Sequence, residues 1–234
     1  MHEGFPVPEV TPKEKERKSP FTFEHAELND ETALALAEYV RNSINTPQNY
    51  IDKGGAGSVF RIAEGLCMKV MTPRRFSPHA ALLDIGNHPV VEANILRSRA
   101  SRIVSGVRVP YCYGFLEAKH GEDFDYLLME ELDAVNLQRV ISKKIPAPEA
   151  FNAERFVEAL DAYIQDLHSS GIAHGDLEAR NVMIDRKTGL PRLIDFGRSR
   201  LLGRLSIAER NAAIAHDEKI MNQAITEPLF KDID

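Results

Sequence analysis

Short runs of apolar, β-branched and aromatic residues, separated by polar turns, occupy the region between residues 49 and 132. The runs are NYID at 49–52, SVFRI at 58–62, LCMKVM at 66–71, YCYGFLEA at 111–118 and YLLMEEL at 126–132. Glycine-rich or Ala-Glu-Gly turns join the first three runs, and the polar turn KHGED joins the last two. Because tight turns between such runs favour hairpins, the pattern predicts five antiparallel strands.

Four other segments place apolar residues at helical spacing. They are NDETALALAEYVRNSI from Asn29, PVVEANILRSRA from Pro89, AERFVEALDAYIQDLHSSG from Ala153 and SIAERNAAIAHDEKIMNQAI from Ser206. Pro89 suits the first turn of a helix, and Gly171 suits the residue that follows one. Ser206 and Glu209 form a capping-box pattern. The sequence therefore predicts four helices.

The order of these elements predicts an α+β fold. Residues 1–22 are rich in proline and mixed charge, with little to bury, and are predicted to be a flexible tail. A helical extension at 23–47 follows. Residues 48–131 form one lobe, with five strands and one main helix, and residues 132–234 form a reduced, mostly helical lobe.

Composition excludes several classes of function. The net charge is −6 and there is no basic stripe, so nucleic acid is not expected as the primary ligand. No apolar run approaches the roughly 18 residues of a membrane span, and the N-terminus has no signal-peptide pattern. Cys67 and Cys112 lie in apolar strand-type runs, which indicates core residues in a reducing compartment rather than a disulfide.

The stretch HSSGIAHGDLEARNVMIDRKTGLPRLIDFGRSR at 168–200 carries the candidate chemistry. The apolar runs VMI and RLI flank a turn and predict a small hairpin, with Asn181 before one strand and Asp195 after the other. Asp176 lies in the loop after the preceding helix. Folding the hairpin back brings these oxygen-bearing side chains together, and such ligands suit Mg²⁺.

This stretch resembles the catalytic loop and the Asp-Phe-Gly motif of the protein-kinase fold. The resemblance extends upstream over residues 45–200. DKGGAGSVF resembles the phosphate-covering loop, with Gly54, Gly57 and Val59 at matching positions and Asp52 where the family has its first glycine.

Further positions match along the chain. Lys69 lies at the position of the lysine on the third strand, and Glu92 is the acid of the next helix. LLMEEL resembles the hinge, where Met129 controls access behind the adenine. Glu130 and Leu132 would offer backbone groups to the base, and Met183 would lie beneath it.

The resemblance implies a role for each site residue, with ATP and Mg²⁺ as cofactors. Lys69 would hold the α- and β-phosphates and be oriented by Glu92. Asp195 and Asn181 would hold the metal ions, and Asp176 would accept or orient the proton of the attacking hydroxyl.

The sequence departs from the family pattern at several positions. Gly175 replaces the arginine that usually precedes the catalytic aspartate, and 37 residues follow Gly197 without an Ala-Pro-Glu segment. Glu178 occupies the position where Ser/Thr kinases commonly have lysine. Arg180 either supplies that positive charge or is a surface arginine beside Glu178. Asp217 is interpreted as an ordinary exposed helix acid, with an anchor for the catalytic-loop backbone as the alternative that the resemblance implies.

Such a pattern resembles minimal atypical kinases: injected bacterial effector kinases, the RIO family and the small kinase of the KEOPS complex. It implies a Ser/Thr protein kinase that is active without activation-loop phosphorylation and has a protein substrate or activating partner. Its location would be cytoplasmic, or a host cytosol if the protein is injected. Two alternatives stay open. One is a kinase that phosphorylates sugars or antibiotics, since such kinases have similar HGD loops. The other is an ATP-binding scaffold with little turnover, which Asp52 and Glu178 favour.

Overall fold

The structure is a computed structural model that describes residues 46–54, 57–71, 89–116 and 125–231, together with positions 38 and 42. The predicted tail lies outside the described residues, as does most of the predicted N-terminal helix, of which positions 38 and 42 are helical and exposed. The chain divides into two compact units, and α1 at 89–99 belongs to the second unit with residues 132–231.

The first unit is a five-stranded antiparallel sheet. Its strands are β1 (Tyr50–Gly54), β2 (Gly57–Ala63), β3 (Leu66–Met71), β4 (Cys112–Leu116) and β5 (Asp125–Glu130). They are hydrogen-bonded in the order β1-β2-β3-β5-β4, and each neighbouring pair is antiparallel. The five predicted strands and the three predicted antiparallel pairs of consecutive strands are confirmed.

The run LCMKVM forms β3, the central strand of the sheet, which carries apolar residues on both faces. All six of its residues are buried, and the strand pairs with β2 along one edge and with β5 along the other. Met68 and Val70 pack with Ile62 of β2 and Leu128 of β5 in one apolar cluster. A strand covered on both faces has no polar alternation, as the sequence shows. Cys67 and Cys112 are buried and free, as predicted.

The second unit is mostly helical. Its helices are α1 (Pro89–Arg99), α2 (Leu137–Ile141), α3 (Ala153–Ser169), α4 (Ile207–Met221) and α5 (Glu227–Phe230), with a π-helical turn (Asn222–Thr226) before α5. In the described parts of the chain, no helix is long and apolar enough to span a membrane.

Helix α3 forms the core of this unit, and its ends follow the predicted signals. The Asn152 side chain caps the first turn by accepting a hydrogen bond from the Arg155 N–H. One face is buried, and it consists of Phe156, Ala159, Leu160, Tyr163, Ile164, Leu167 and His168. Gly171 follows the helix with φ +82°, a left-handed conformation that favours glycine. This face supports the loops that carry the candidate chemistry.

Two small sheets complete the second unit. The predicted hairpin is present as β8 (Val182–Asp185) and β9 (Pro191–Leu193), and a third strand, β6 (Ala134–Asn136), pairs with β8. Strand β7 (Ile172–Ala173) pairs with β10 (Arg200–Leu201). Strands β6, β7 and β10 were not predicted, because two or three residues are too short to show a period.

The last long helix begins as the sequence predicts. The Ser206 side chain accepts from the Glu209 N–H, and the Glu209 carboxylate accepts from the Ser206 N–H, which completes the capping box of α4. The helix buries two residues, Ala213 and Asp217. A polar residue on the buried side of this helix needs partners, and Asp217 finds them in the main-chain N–H groups of His174 and Gly175 and in the His168 ring.

Candidate active site

Asp176 lies in a loop whose shape is fixed by an asparagine five residues later. The loop follows β7, and a 3₁₀ turn (Ala179–Asn181) leads from it into β8. Asn181 Nδ2 donates to the Asp176 main-chain carbonyl at 2.7 Å and to Asp176 Oδ2 at 3.0 Å. Both bonds use the amide nitrogen, so the Asn181 Oδ1 remains available as a hard oxygen ligand.

Two arginines contact the Asp176 carboxylate. Arg180 Nη2 lies 3.1 Å from Oδ1, and Arg198 Nη1 lies 3.5 Å from the same oxygen. Arg180 also forms an ion pair with Glu178 through its other terminal nitrogen. Arg180 therefore contacts both acids, rather than only its neighbour Glu178. The carboxylate of Asp176 therefore has two exposed cations beside it.

Asp217 anchors the backbone of this loop from helix α4. It is 0% exposed. Its Oδ2 accepts from the His174 N–H at 2.7 Å, and its Oδ1 accepts from the Gly175 N–H at 2.9 Å. His168 Nε2 lies 3.0 Å from Oδ2. Burial raises the pKa of Asp217, but the hydrogen bond from His168, the electrostatic interaction with His174 and the two backbone N–H groups outweigh burial, so the pKa is lowered. The exposed helix acid that the sequence favoured is therefore wrong, and the alternative role, an anchor for the loop backbone, is correct.

His174 packs inside the same loop as a neutral ring. Its Nε2 lies 3.2 Å from the Ile194 carbonyl, and its Nδ1 accepts from the Asp176 N–H at 3.3 Å. This arrangement requires the tautomer with hydrogen on Nε2. Burial lowers the pKa of His174, which favours that neutral form. The ring also packs against Phe196, with centroids 4.7 Å apart.

Asp195 follows strand β9 and has φ 64° and ψ 63°, a left-handed conformation that is uncommon outside glycine. The 3₁₀ turn Phe196–Arg198 begins directly after it. The Ile194 N–H donates to the Asn181 carbonyl at 3.0 Å, so the residues preceding Asp195 and Val182 are joined across the hairpin. The second unit therefore gathers Asp176, Asn181 and the Asp195 backbone in one cluster of loops.

Gly175 lets two of these loops lie in direct contact. It has φ +76°, and a Cβ atom there would lie 2.3 Å from the Arg198 carbonyl oxygen. The Ser199 Oγ donates to the His174 carbonyl at 3.0 Å, which joins the same two segments. A larger residue at position 175 would be strained and would collide with backbone. The backbone geometry of this chain therefore requires glycine at position 175.

Glu92 and Met183 also belong to the second unit. Glu92 is 1% exposed on α1, and this helix packs against the Phe196–Arg198 turn. Met183 is half-buried on β8, where its Sδ lies 3.6 Å from Asn136 Nδ2. Leu132 is half-buried before β6.

The first unit carries the remaining predicted positions on its sheet. Gly54 and Gly57 pair at the end of the β1–β2 ladder. A Cβ atom on Gly57 would lie 2.1 Å from the Val70 carbonyl, so the glycine is required by packing within the sheet. Val59 pairs with Lys69 across β2 and β3, and the Lys69 side chain is buried.

The predicted hinge begins in the first unit. Met129 of β5 pairs with Cys67 of β3. The Glu130 N–H donates to the Tyr111 carbonyl at 2.9 Å, and the Cys67 thiol donates to the Glu130 carbonyl at 3.5 Å. Burial raises the pKa of the Cys67 thiol to about 12, so it is a neutral thiol at physiological pH.

Comparison with known proteins identifies a protein kinase domain, whose family model matches residues 49–214. The hormonally up-regulated neu tumor-associated kinase of Mus musculus is 29% identical over 157 residues, which are 67% of this chain and 21% of that protein. The probable serine/threonine-protein kinase fnkB of Dictyostelium discoideum is 34% identical over 88 residues, covering 38% of this chain and 16% of that protein.

A bacterial relative gives a similar result. The serine/threonine-protein kinase pkn3 of Myxococcus xanthus is 26% identical over 152 residues, which cover 63% of this chain and 26% of that protein. The chain spans about a fifth of the length of the first relatives, at 21%. The match is therefore to one domain of larger proteins.

Proposed function

This chain belongs to the protein kinase family, and from that premise we propose that it transfers the γ-phosphoryl group of ATP to a serine or threonine hydroxyl of a protein substrate. Two of the similar proteins are named as serine/threonine kinases, or probable ones. The observation that carries the proposal is the Asp176 carboxylate, held by Asn181 at 3.0 Å and flanked by the cations of Arg180 and Arg198.

The proposed role of Asp176 is to receive the acceptor hydroxyl. Its main-chain carbonyl and its carboxylate are both tied to one Asn181 amide, so the carboxylate cannot rotate without losing a hydrogen bond. A carboxylate with fixed orientation can accept the hydroxyl proton and align the oxygen for attack. Arg180 and Arg198 would balance the negative charge that builds up on the transferred phosphoryl group.

ATP and Mg²⁺ fit the donor set of the second unit. Magnesium supplies charge neutralisation between the phosphates when it is bound. We propose that Asp195 and the Oδ1 of Asn181 hold it, since both are hard oxygen ligands. Lys69, oriented by Glu92, would hold the phosphates, and Gly54, Gly57 and Val59 would cover them. The base would contact Met129, Glu130, Leu132 and Met183.

The proposed kinase is active without prior phosphorylation. In the second unit, the segment after Asp195 is held by the Gly175–Arg198 contact, by the Ser199 hydroxyl and by the Arg198–Asp176 pair, none of which needs a phosphate group. Gly175 also removes the arginine that would meet a phosphorylated loop. These features, with Glu178, support membership of the minimal atypical kinases, such as the bacterial effector, RIO and KEOPS types.

A single experiment tests this function. Phosphatase-treated protein is incubated with γ-labelled ATP, Mg²⁺, generic protein substrates and a panel of sugars, and Asp176→Asn serves as the inactive control. Label on protein serine or threonine is the expected result. Label on tyrosine alone, label on the small molecules, or nucleotide binding without any transfer would each refute it. Transfer only after treatment with an upstream kinase would refute the claim of independence from phosphorylation.

A further inference from the structure

A cluster of charged side chains fastens the end of helix α1 to the end of helix α3. Arg99, the last residue of α1, and Arg102, just beyond it, both form ion pairs with Asp166 in the last turn of α3. Arg102 Nε makes a further contact with Asp166 Oδ2 at 3.2 Å. Arg99 Nη1 also donates to the Ser170 hydroxyl at 2.9 Å. All of these residues belong to the second unit.

The cluster is buried on the side of Arg99. The Arg99 side chain is 6% exposed and that of Asp166 is 14% exposed, whereas that of Arg102 is 57% exposed. The Arg99 guanidinium also lies over the Tyr163 ring, 5.2 Å from its centroid. The hydrogen bond from Arg102 lowers the pKa of Asp166 more than burial raises it, and Arg99 lowers it further, to about 2. Asp166 is thus an ionised carboxylate with two cationic partners.

Helix α1 connects this cluster to the candidate active site. Arg99 follows Glu92 by seven residues, or two helical turns, so both lie on the same face, about 10 Å apart along the axis. Both are buried. The helix packs against the Phe196–Arg198 turn that follows Asp195. Any shift or rotation of α1 would therefore move Glu92 relative to that turn.

We propose that Asp166 is a positioning residue for phosphoryl transfer. Because it holds Arg99 and Arg102, it fixes the position of α1 along its axis and its rotation about that axis, and α1 is the helix that carries Glu92. The inference rests on the proposed function, in which Glu92 orients Lys69. Asp166 itself contacts no reacting group. It acts through α1, in a way that needs no covalent modification. A buried ion pair of purely structural importance would affect the stability of the unit, but not the rate of the folded protein.

Steady-state kinetics of the full chain separate these roles. Asp166→Asn keeps the shape and removes the charge, and we expect kcat to fall about tenfold or more, since small misplacements of positioning groups are costly. The KM for ATP should change less than kcat, and Asp166→Glu should restore most of the rate. Asp185→Asn is the matched control, because it removes the carboxylate of the buried Arg192 pair in the same unit. It should lower the melting temperature without a comparable loss of kcat.

A double-mutant cycle identifies the group through which Asp166 acts. In the Glu92→Gln background, Asp166→Asn should cause little further loss of kcat, because the residue to be positioned is already disabled. A wild-type kcat for Asp166→Asn, or effects of the two changes that multiply independently, would overturn the inference.

Hydrogen exchange keeps this inference distinct from the proposed function. If the wild-type chain transfers no phosphate, the proposed function fails, but exchange of the α1 amides still reports whether Asp166 fixes the helix. Faster exchange over 91–99 in Asp166→Asn than in Asp185→Asn is the expected result. Equal exchange in the two variants would overturn the inference by itself.

Discussion

The two units hold their candidate site residues in different ways. In the second unit, Asp176 is held by the side chain of Asn181, five residues further on, and the backbone of residues 174–175 is held by the side chain of Asp217 from helix α4. In the first unit, Lys69 is fixed by the ladder of β3, which pairs it with Val59 and Leu127. A sheet supplies its own positioning through backbone bonds, whereas a loop must obtain it from side-chain hydrogen bonds. The loop of residues 174–181, which we propose to be the catalytic loop, should therefore be more sensitive to single polar substitutions than the sheet.

Removal of the Asp217 anchor should have the largest effect on stability. Asp217→Ala leaves the His174 and Gly175 N–H groups buried without their acceptors, and we expect a loss of about 3 kcal/mol or more in the free energy of unfolding. Urea denaturation measures this loss, and the rate of phosphoryl transfer should fall with it. Asp217→Asn keeps one acceptor oxygen and should cost less. Equal stability of Asp217→Ala and wild type would contradict the anchor.

Gly175→Ala tests the contact between the catalytic loop and the segment after Asp195. Gly171→Ala is the matched control, since Gly171 has a similar φ of +82° but a Cβ atom there would meet nothing within 4 Å, whereas at Gly175 it would lie 2.3 Å from the Arg198 carbonyl oxygen. Both variants carry the strain of a left-handed residue, about 1 kcal/mol. Gly175→Ala should cost about 2 kcal/mol more than the control, by thermal or urea unfolding. Similar costs at both positions would show that the close approach is unimportant.

The same comparison can be made in the sheet. Gly57→Ala places Cβ 2.1 Å from the Val70 carbonyl, whereas Gly65→Ala meets nothing within 4 Å and has only the strain of φ +74°. We expect Gly57→Ala to destabilise the protein by about 1–2 kcal/mol through the β2–β3 ladder. The KM for ATP should rise, while kcat should fall less than it does in Gly175→Ala. A larger loss of kcat in Gly57→Ala than in Gly175→Ala would contradict the expectation that the loop of the second unit is more sensitive to substitution than the sheet of the first unit.

The smallest effect concerns acid stability at Asp166. Its pKa is about 2 in the folded chain, below the ordinary value of 3.8, so the ionised form favours folding. This contribution is complete above about pH 4 and is lost as the pH falls towards 2. We expect wild type to lose about 1 kcal/mol more than Asp166→Asn between pH 5 and pH 2.5. Parallel unfolding curves for the two proteins over that range would disprove the contribution.

The sequence predicted the elements with a clear period or clear boundary residues. The five strands, helix α3 from its apolar face, and the capping box of α4 at Ser206 were all predicted correctly. The motif around Asp176 and Asp195 was also sufficient to indicate the family, because its residue types have the spacing of the kinase catalytic loop and Asp-Phe-Gly motif.

Other features depend on contacts between residues far apart in the sequence. Asp217 acts on backbone groups 42 and 43 residues away, and it was interpreted as an exposed acid because a helix acid shows no local sign of such partners. The Asp166 pairs with Arg99 and Arg102 span 67 and 64 residues and were not predicted. Strands β6, β7 and β10 are too short to show a pattern. Tertiary packing, not local propensity, determines all of these.

The turnover of Asp195→Ala, measured with ATP and Mg²⁺ on a protein that circular dichroism shows to be folded, tests the central assignment most directly. Loss of this carboxylate should lower kcat by about a thousandfold or more, because the charge on the phosphates would no longer be neutralised by a correctly held ion. A folded Asp195→Ala protein with undiminished turnover would contradict the assignment of the catalytic loop and its neighbouring aspartate to phosphoryl transfer.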